Sequence, residues 1–325
     1  MKKHISSLLF LITSIVWGFA FAVQKQLSVL PVFTIGAIRG FLAGTFLFAA
    51  IPLMDKILKR ERKFISKSGL DFTKTEVIGG IACGIVLAIG SALQQSGLSS
   101  GTDAGKAAFI SALYVLIVPI ISLIGGKRSP LNVWFAVGIA ILGFYLLCVN
   151  GDFRIEISDL LVLLCALVFA FHIIVIDRFS PRCDGVRMSC IQFFTVFAVS
   201  APLALIFEGL PNTDTLVSIL PGLLYYGVCS GGLAYTLQII GQSDADPAVA
   251  SIILSLESVF GAIGGAILLD EVMELKEYIG CGVVFIAIII AQLDFKSIWS
   301  RIRGASRSTD TSPTTAVDIN TGDES

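Results

Sequence analysis

Residues 248–269 read AVASIILSLESVFGAIGGAILL, an apolar run in which Glu257 is the one charged side chain. A helix rises about 1.5 Å per residue. About twenty apolar residues therefore cross the ~30 Å hydrocarbon layer of a bilayer. Runs of this kind recur at Ile5–Gln24, Phe33–Met54, Val77–Leu98, Ala104–Ile124, Val133–Val149, Leu160–Ile176, Met188–Phe207, Leu216–Ile240 and Tyr278–Leu293. The expectation is an all-α integral membrane protein with ten transmembrane helices. Turn signals separate the runs, among them Leu30-Pro31, Gly125-Gly126, Asn150-Gly151-Asp152, Ser180-Pro181 and Asp246-Pro247.

Composition fits that reading. Of 325 residues 55% are hydrophobic and 14% charged, whereas soluble domains carry about 25% charged residues. A net charge of -1 offers nothing to nucleic acid. The seven cysteines (83, 148, 165, 183, 190, 229 and 281) form no CxxC pair, and the two histidines, His4 and His172, are too few for a histidine metal site. Neither disulfides, a metal nor a cofactor is expected. Met1-Lys2-Lys3 before Ile5–Val23 imitates a signal peptide, but the apolar run exceeds the ~7–15 residues of an h-region and reads as the first span.

Lys and Arg set the orientation. With a cytoplasmic N-terminus, eighteen of the 23 fall in inside segments, and the exceptions are Lys25, Arg39, Lys106, Arg154 and Lys276. Cytoplasmic loops carry this excess. Both termini are therefore expected inside a bacterial-type plasma membrane, with the basic Lys56–Lys74 loop on the same side. From 296 to 325 the chain turns Ser-, Thr- and Asp-rich after a basic patch and reads as a disordered cytoplasmic tail.

The two halves, 1–150 and 151–295, echo each other. Val16-Trp17-Gly18-Phe19-Ala20 aligns with Val168-Phe169-Ala170-Phe171-His172, and Ala107–Leu113 aligns with Val249–Ser255. Five spans per half force the second to enter from the opposite side, giving two inverted five-helix repeats. Secondary transporters recurrently use this plan, with the solute site between the repeats.

On these residues the chain resembles the EamA-type permeases of the drug/metabolite transporter superfamily. The likeness rests on Trp17-Gly18, on Ile38-Arg39-Gly40-Phe41, on Ala108–Tyr114 running to Pro119, on Leu256-Glu257-Ser258-Val259-Phe260, and on Leu269-Asp270-Glu271. The family implies solute transport, often export, and names no solute. Its members more often carry Glu-Pro where this chain has Glu257-Ser258, a departure expected to straighten the ninth helix.

Candidate site residues are polar or aromatic side chains inside the spans. Arg39 costs ~2.5–3.5 kcal/mol at a bilayer centre and must face the bundle interior. There it either meets an anionic group of the solute or anchors helix-end carbonyls. Glu257 is the candidate for proton coupling, although its helical face includes Gly261 and Gly264, which suits packing. His172 either relays protons or is a hydrogen-bonded core residue. Trp17, Tyr114, Tyr226 and Tyr235 offer an aromatic lining, and Gln94, Gln95, Gln192 and Gln238 offer polar contacts. No catalytic residue is legible.

The expected function is a secondary transporter, an exporter by resemblance, moving a small metabolite or amphipathic solute by alternating access. The solute, the bilayer and protons are its expected partners. A membrane-embedded enzyme or a lipid-handling or scaffolding protein is the alternative. Gly101–Ala107 imitates a phosphate-binding loop, but Ala107 stands where a Ser/Thr would hold magnesium, so the segment is expected to be a turn.

Overall fold

The computed structural model describes residues 2–58, 71–126, 130–148, 156–270 and 275–292. The expected tail, most of the basic Lys56–Lys74 loop and Glu271 lie outside them. The described residues hold helices and no strand. Three long helices open the chain: α1 (Lys2–Gln26), α2 (Val32–Leu58) and α3 (Lys74–Ser99). The fourth expected span is a pair, α4 (Ala104–Ala112) and α5 (Tyr114–Ile124), followed by α6 (Leu131–Cys148), α7 (Ile157–Phe179) and α8 (Gly185–Phe207). A short α9 (Thr213–Ser218) leads to α10 (Leu220–Leu224), a π-helical stretch (Tyr225–Ala234) and α11 (Tyr235–Gln242). Finally come α12 (Pro247–Leu254), α13 (Glu257–Leu268) and α14 (Leu275–Gln292).

Eight of these helical units are long and apolar enough to cross a membrane, counting α4–α5, α10–α11 and α12–α13 as one unit each. In α6 and α14 the apolar stretches, Leu131–Gly143 and Tyr278–Ala287, are shorter.

Polarity is distributed as a bilayer demands. Ile78, Ile81, Ile85 and Ile89 expose one stripe of α3, and Leu160, Leu163, Leu167 and Phe171 expose one of α7. Small and polar residues turn inward. Helices in lipid gain little by hiding leucine from leucine, so they associate through close backbone packing. On α2, Gly36, Gly40 and Gly44 face Ser200, Phe197 and Phe194 of α8, and a Cβ at Gly40 would stand 2.6 Å from the Phe197 nitrogen. The α2–α8 pair is also tied at both ends. Asp55 accepts from Arg187 Nη2 at 2.8 Å, and Glu208 accepts from the Phe33 and Thr34 amides at 2.8 and 2.7 Å. Arg187, read from sequence as a loop cation, is fully buried at the start of α8.

The start signals are local. Thr73 and Glu76 form a reciprocal capping box on α3. Asp184 accepts from the Val186 and Arg187 amides, and Asp246 accepts from Ala248 ahead of α12, with Pro247 at the first helical position.

The ninth expected span is not straight. It breaks between Leu254 and Glu257 despite lacking the proline. Ser251, Ser255 and Ser258 each donate to the carbonyl three residues back, at 2.7–2.8 Å, and such back-bonding bends helices. The fourth span breaks at Leu113, where Leu116 donates to the Leu113 carbonyl, just upstream of the helix proline Pro119. The eighth expected span, Leu216–Ile240, is also no single α-helix, since its centre is the π stretch. The phosphate-loop imitation opens on a turn, with Gly101 at φ 126°, a region open to glycine, and from Ala104 it is already the first turn of α4.

Candidate functional site

The two breaks, the π stretch and the middles of α1, α2 and α7 converge on one narrow cavity of about 30 Å³. Its walls are aromatic on one side. The Tyr235 ring is at the hub, 4.5 Å from Trp17, 5.5 Å from Phe193 and 5.7 Å from His172 between centroids. Trp17 Nε1 donates to the Ser230 carbonyl of the π stretch at 3.3 Å, which fixes the indole against that wall.

Arg39 enters from α2, 4% exposed. Its guanidinium donates to Ser91 Oγ and Tyr226 Oη, both at 3.0 Å. It lies 4.2 Å from the Tyr226 ring and 5.1 Å from that of Tyr235, a cation–π cage. Tyr226 in turn donates to Gln24 Oε1 at 3.0 Å. Among the described residues no carboxylate pairs with Arg39, and its Nε has no hydrogen-bond partner.

Glu257 lines the same cavity. It is the first residue of α13, and the first residue of α5, Tyr114, brings its hydroxyl up to the carboxyl, without closing a hydrogen bond of ordinary geometry. The breaks in two spans thus deliver an acid and a phenol to one point. A buried carboxylate lacking a cation among the described residues is costly, as is a buried guanidinium lacking an anion.

Of the residues singled out from sequence, Trp17, Arg39, Gln94, Tyr114, His172, Tyr235, Gln238 and Glu257 line this cavity. Gln94 is held by a bond to Ser111 Oγ at 3.0 Å, whereas Gln238 Oε1 is buried without a partner. Three others lie off it. Gln192 is behind His172, its Oε1 3.2 Å from Nε2. Gln95 turns away to the Gln24 carbonyl and Ser28. Tyr226 lines a second cavity. The glycine face of α13 does pack, Gly261 against Ala108 and Gly264 against Phe19, while Glu257 itself lines the central cavity. Sequence reading missed Gln24, Ser91 and Ser230. A glutamine closing an apolar run was a usable signal for the first, but serines in apolar helices mostly satisfy themselves on the preceding turn.

The sequence pattern of the EamA-like transporter family matches residues 4–149 and, a second time, 156–292. The chain belongs to that family. An "Uncharacterized transporter" of Archaeoglobus fulgidus is 29% identical to it over 299 residues, covering 90% of this chain and 87% of the archaeal one. A solved crystal structure superposes with a TM-score of 0.69 at 15% identity, covering 94% of this chain and 99% of the other, a likeness of fold alone. In this EamA-like protein, an integral membrane protein by family and by its apolar helices, the central cavity brings together the buried charges Arg39 and Glu257. Family and relative point to a transporter and not to an enzyme.

Proposed function

We propose that the chain is a secondary transporter of ten spans in two inverted five-helix halves, which moves a small zwitterionic or amphipathic metabolite through the central cavity by alternating access. One observation carries the reading: Arg39 and Glu257 line a single cavity, and neither has an ion-pair partner among the described residues. An anionic group of the solute meets Arg39. A proton, or an ammonium group of the solute, meets Glu257.

Several features support the two-half plan. The family pattern occurs twice. The span α4–α5 and the span α12–α13 each begin after an aspartate, Asp103 and Asp246, and each break at similar depth. The helix α2 packs on α8, α3 packs on α7, and α1 packs on the π stretch and α11, the pairing that a two-fold exchange of halves would produce. Discontinuous helices at the repeat interface are also where transporters of this design bind solutes. The Lys and Arg bias supports cytoplasmic termini in a bacterial-type plasma membrane, and export is the direction that the family resemblance implies.

A thermal-shift screen of the purified protein against amino acids, nucleobases and cationic drugs tests the reading. A stabilising solute whose effect disappears in Arg39→Gln supports it. A solute that stabilises wild type and Arg39→Gln alike places binding elsewhere.

A further inference from the structure

A groove of about 520 Å³ lies on the outside of the bundle, against α8. Its floor is α8 from Cys190 to Ala198, its sides are Phe48 of α2 and Ile81 of α3, and Phe72, just ahead of α3, stands at one end. Glycines draw both neighbours onto α8: Gly44 of α2 meets the Phe194 ring, and Gly84 of α3 meets Thr195. The helices α2 and α3 touch each other far less, which leaves the groove between them. Phe48 and Ile81 are 44% and 43% exposed, so it opens toward lipid. Its two polar groups are already engaged, because the Thr195 hydroxyl donates to the Ile191 carbonyl at 2.8 Å and the Cys190 thiol to that of Gly44 at 3.7 Å. A polar solute finds no partner here, whereas a hydrocarbon chain does. At 1.5 Å per residue the floor is about 12 Å long, close to the ~15 Å of hydrocarbon in one leaflet, half of the ~30 Å layer. At roughly 30 Å³ for a water-sized group such as a methylene, the volume takes on the order of fifteen of them, about one acyl chain.

The end marked by Phe72 is the basic one. Residues 59–73, which connect α2 to α3, carry five Lys or Arg against Glu61 and Asp71, and α3 begins with the exposed Lys74. Other acids at this end are engaged. Asp55 pairs with Arg187, Glu76 accepts from the Thr73 and Asp184 amides, and Asp184 accepts from those of Val186 and Arg187. Each Lys or Arg near an anionic membrane surface strengthens attachment about fivefold. A second copy of the chain is a poorer occupant, because both copies would bring their basic segments to the same side of the membrane.

We propose that the groove binds one acyl chain of an anionic phospholipid from the leaflet on the basic side, with the headgroup beside Lys74. The chain fills the gap between α2 and α3 and braces both against α8. This site is separate from the central cavity and does not rest on the transport reading.

Native mass spectrometry of the delipidated full-length protein tests it, with phosphatidylglycerol as the anionic probe and phosphatidylcholine as the zwitterionic one. One phosphatidylglycerol per chain should be retained at a several-fold lower concentration than phosphatidylcholine. Ala198→Phe, which fills the floor of the groove, should weaken that retention several-fold. Leu163→Phe, on the exposed stripe of α7, should leave it unchanged. Lys74→Gln should reduce the preference for phosphatidylglycerol about fivefold and leave phosphatidylcholine as it was. Equal retention of the two lipids, or wild-type retention by Ala198→Phe, overturns the site. A lipid-free dimer that Ala198→Phe breaks would assign the groove to a second copy and overturn it as well. If Ala198→Phe fails to fold, Lys74→Gln at its exposed position decides, and an unchanged preference overturns the proposal.

Discussion

The helix α3 and the run Leu220–Gln242 each form the third long element of a family match, and both use glycines to approach α2 or α8, but they do so differently. On α3, Gly80, Gly84 and Gly97 approach backbone alongside a nearer side-chain atom, whereas Gly79 and Gly90 meet the side chains of Phe179 and Phe169. A Cβ at Gly84 would lie 2.6 Å from the Gln192 carbonyl oxygen, and one at Gly80 would lie 2.9 Å from that of Met188. In the π stretch the glycines meet side chains only, as at Gly232, where the nearest atom is Phe46 Cδ1 at 2.7 Å. The carbonyls of Ser230 and Ala234 also accept from Trp17 and Thr13 of α1, within the middle of the run, whereas on α3 the carbonyl held by an α1 side chain, that of Leu98 bonded to Lys25, is at the helix end. A regular helix held close to a neighbouring backbone has little room to repack. A π-helical stretch resting on side chains can repack, and π segments frequently mark functional sites. The comparison assigns the static wall of the cavity to α3 and the adjustable wall to the π stretch.

The largest expected effect tests that assignment through stability. Gly84→Ala should cost about 2–3 kcal/mol or prevent folding, because overpacking against backbone has no relief. Gly232→Ala should stay within about 1 kcal/mol, since a glycine within a helix is itself unfavourable by about that amount and the half-exposed Phe46 ring can swing aside. Equal losses in denaturant melts would break the comparison. Arg39→Gln comes next: transport is expected to be abolished while the protein remains folded by size exclusion. Loss of the folded protein would make Arg39 a structural anchor.

The all-helical, membrane-spanning character was legible because lipid leaves the chain little choice. Runs such as Leu160–Ile176 or Ala104–Ile124 have only one hydrogen-bonded solution in a bilayer, a helix. What stayed hidden was decided by neighbours. The break at Ser255–Leu256 comes from serines bonding to their own helix, which hydropathy does not register. Arg187, adjacent to loop residues in sequence, is buried because Asp55 arrives from another helix. Within the site, the type of residue was readable and its azimuth was not. Gln94 and Gln95 are adjacent, yet one lines the central cavity and the other turns to Gln24 and Ser28.

Smaller effects sharpen the contrast between the walls. Trp17→Phe removes the anchor to the Ser230 carbonyl, worth about 1 kcal/mol. Hydrogen exchange should then quicken over 225–234 and stay unchanged over 74–99, whereas a uniform change would mean that the two walls loosen together. The least effect is expected at Lys106→Met. The lysine pairs with Asp159 at 2.6 Å but is partly exposed, so about 0.5–1 kcal/mol is expected in the same melts.

In the proposed transport cycle the opposed charges of one cavity bind the solute and couple its movement. With the solute from the thermal-shift screen loaded into proteoliposomes, accumulation is measured as a function of an imposed pH gradient for wild type and Glu257→Gln. The account predicts that wild type accumulates solute in proportion to the gradient, whereas Glu257→Gln retains solute exchange and loses the gradient dependence. Accumulation by Glu257→Gln with the wild-type dependence on pH would contradict it and reduce Glu257 to a packing residue.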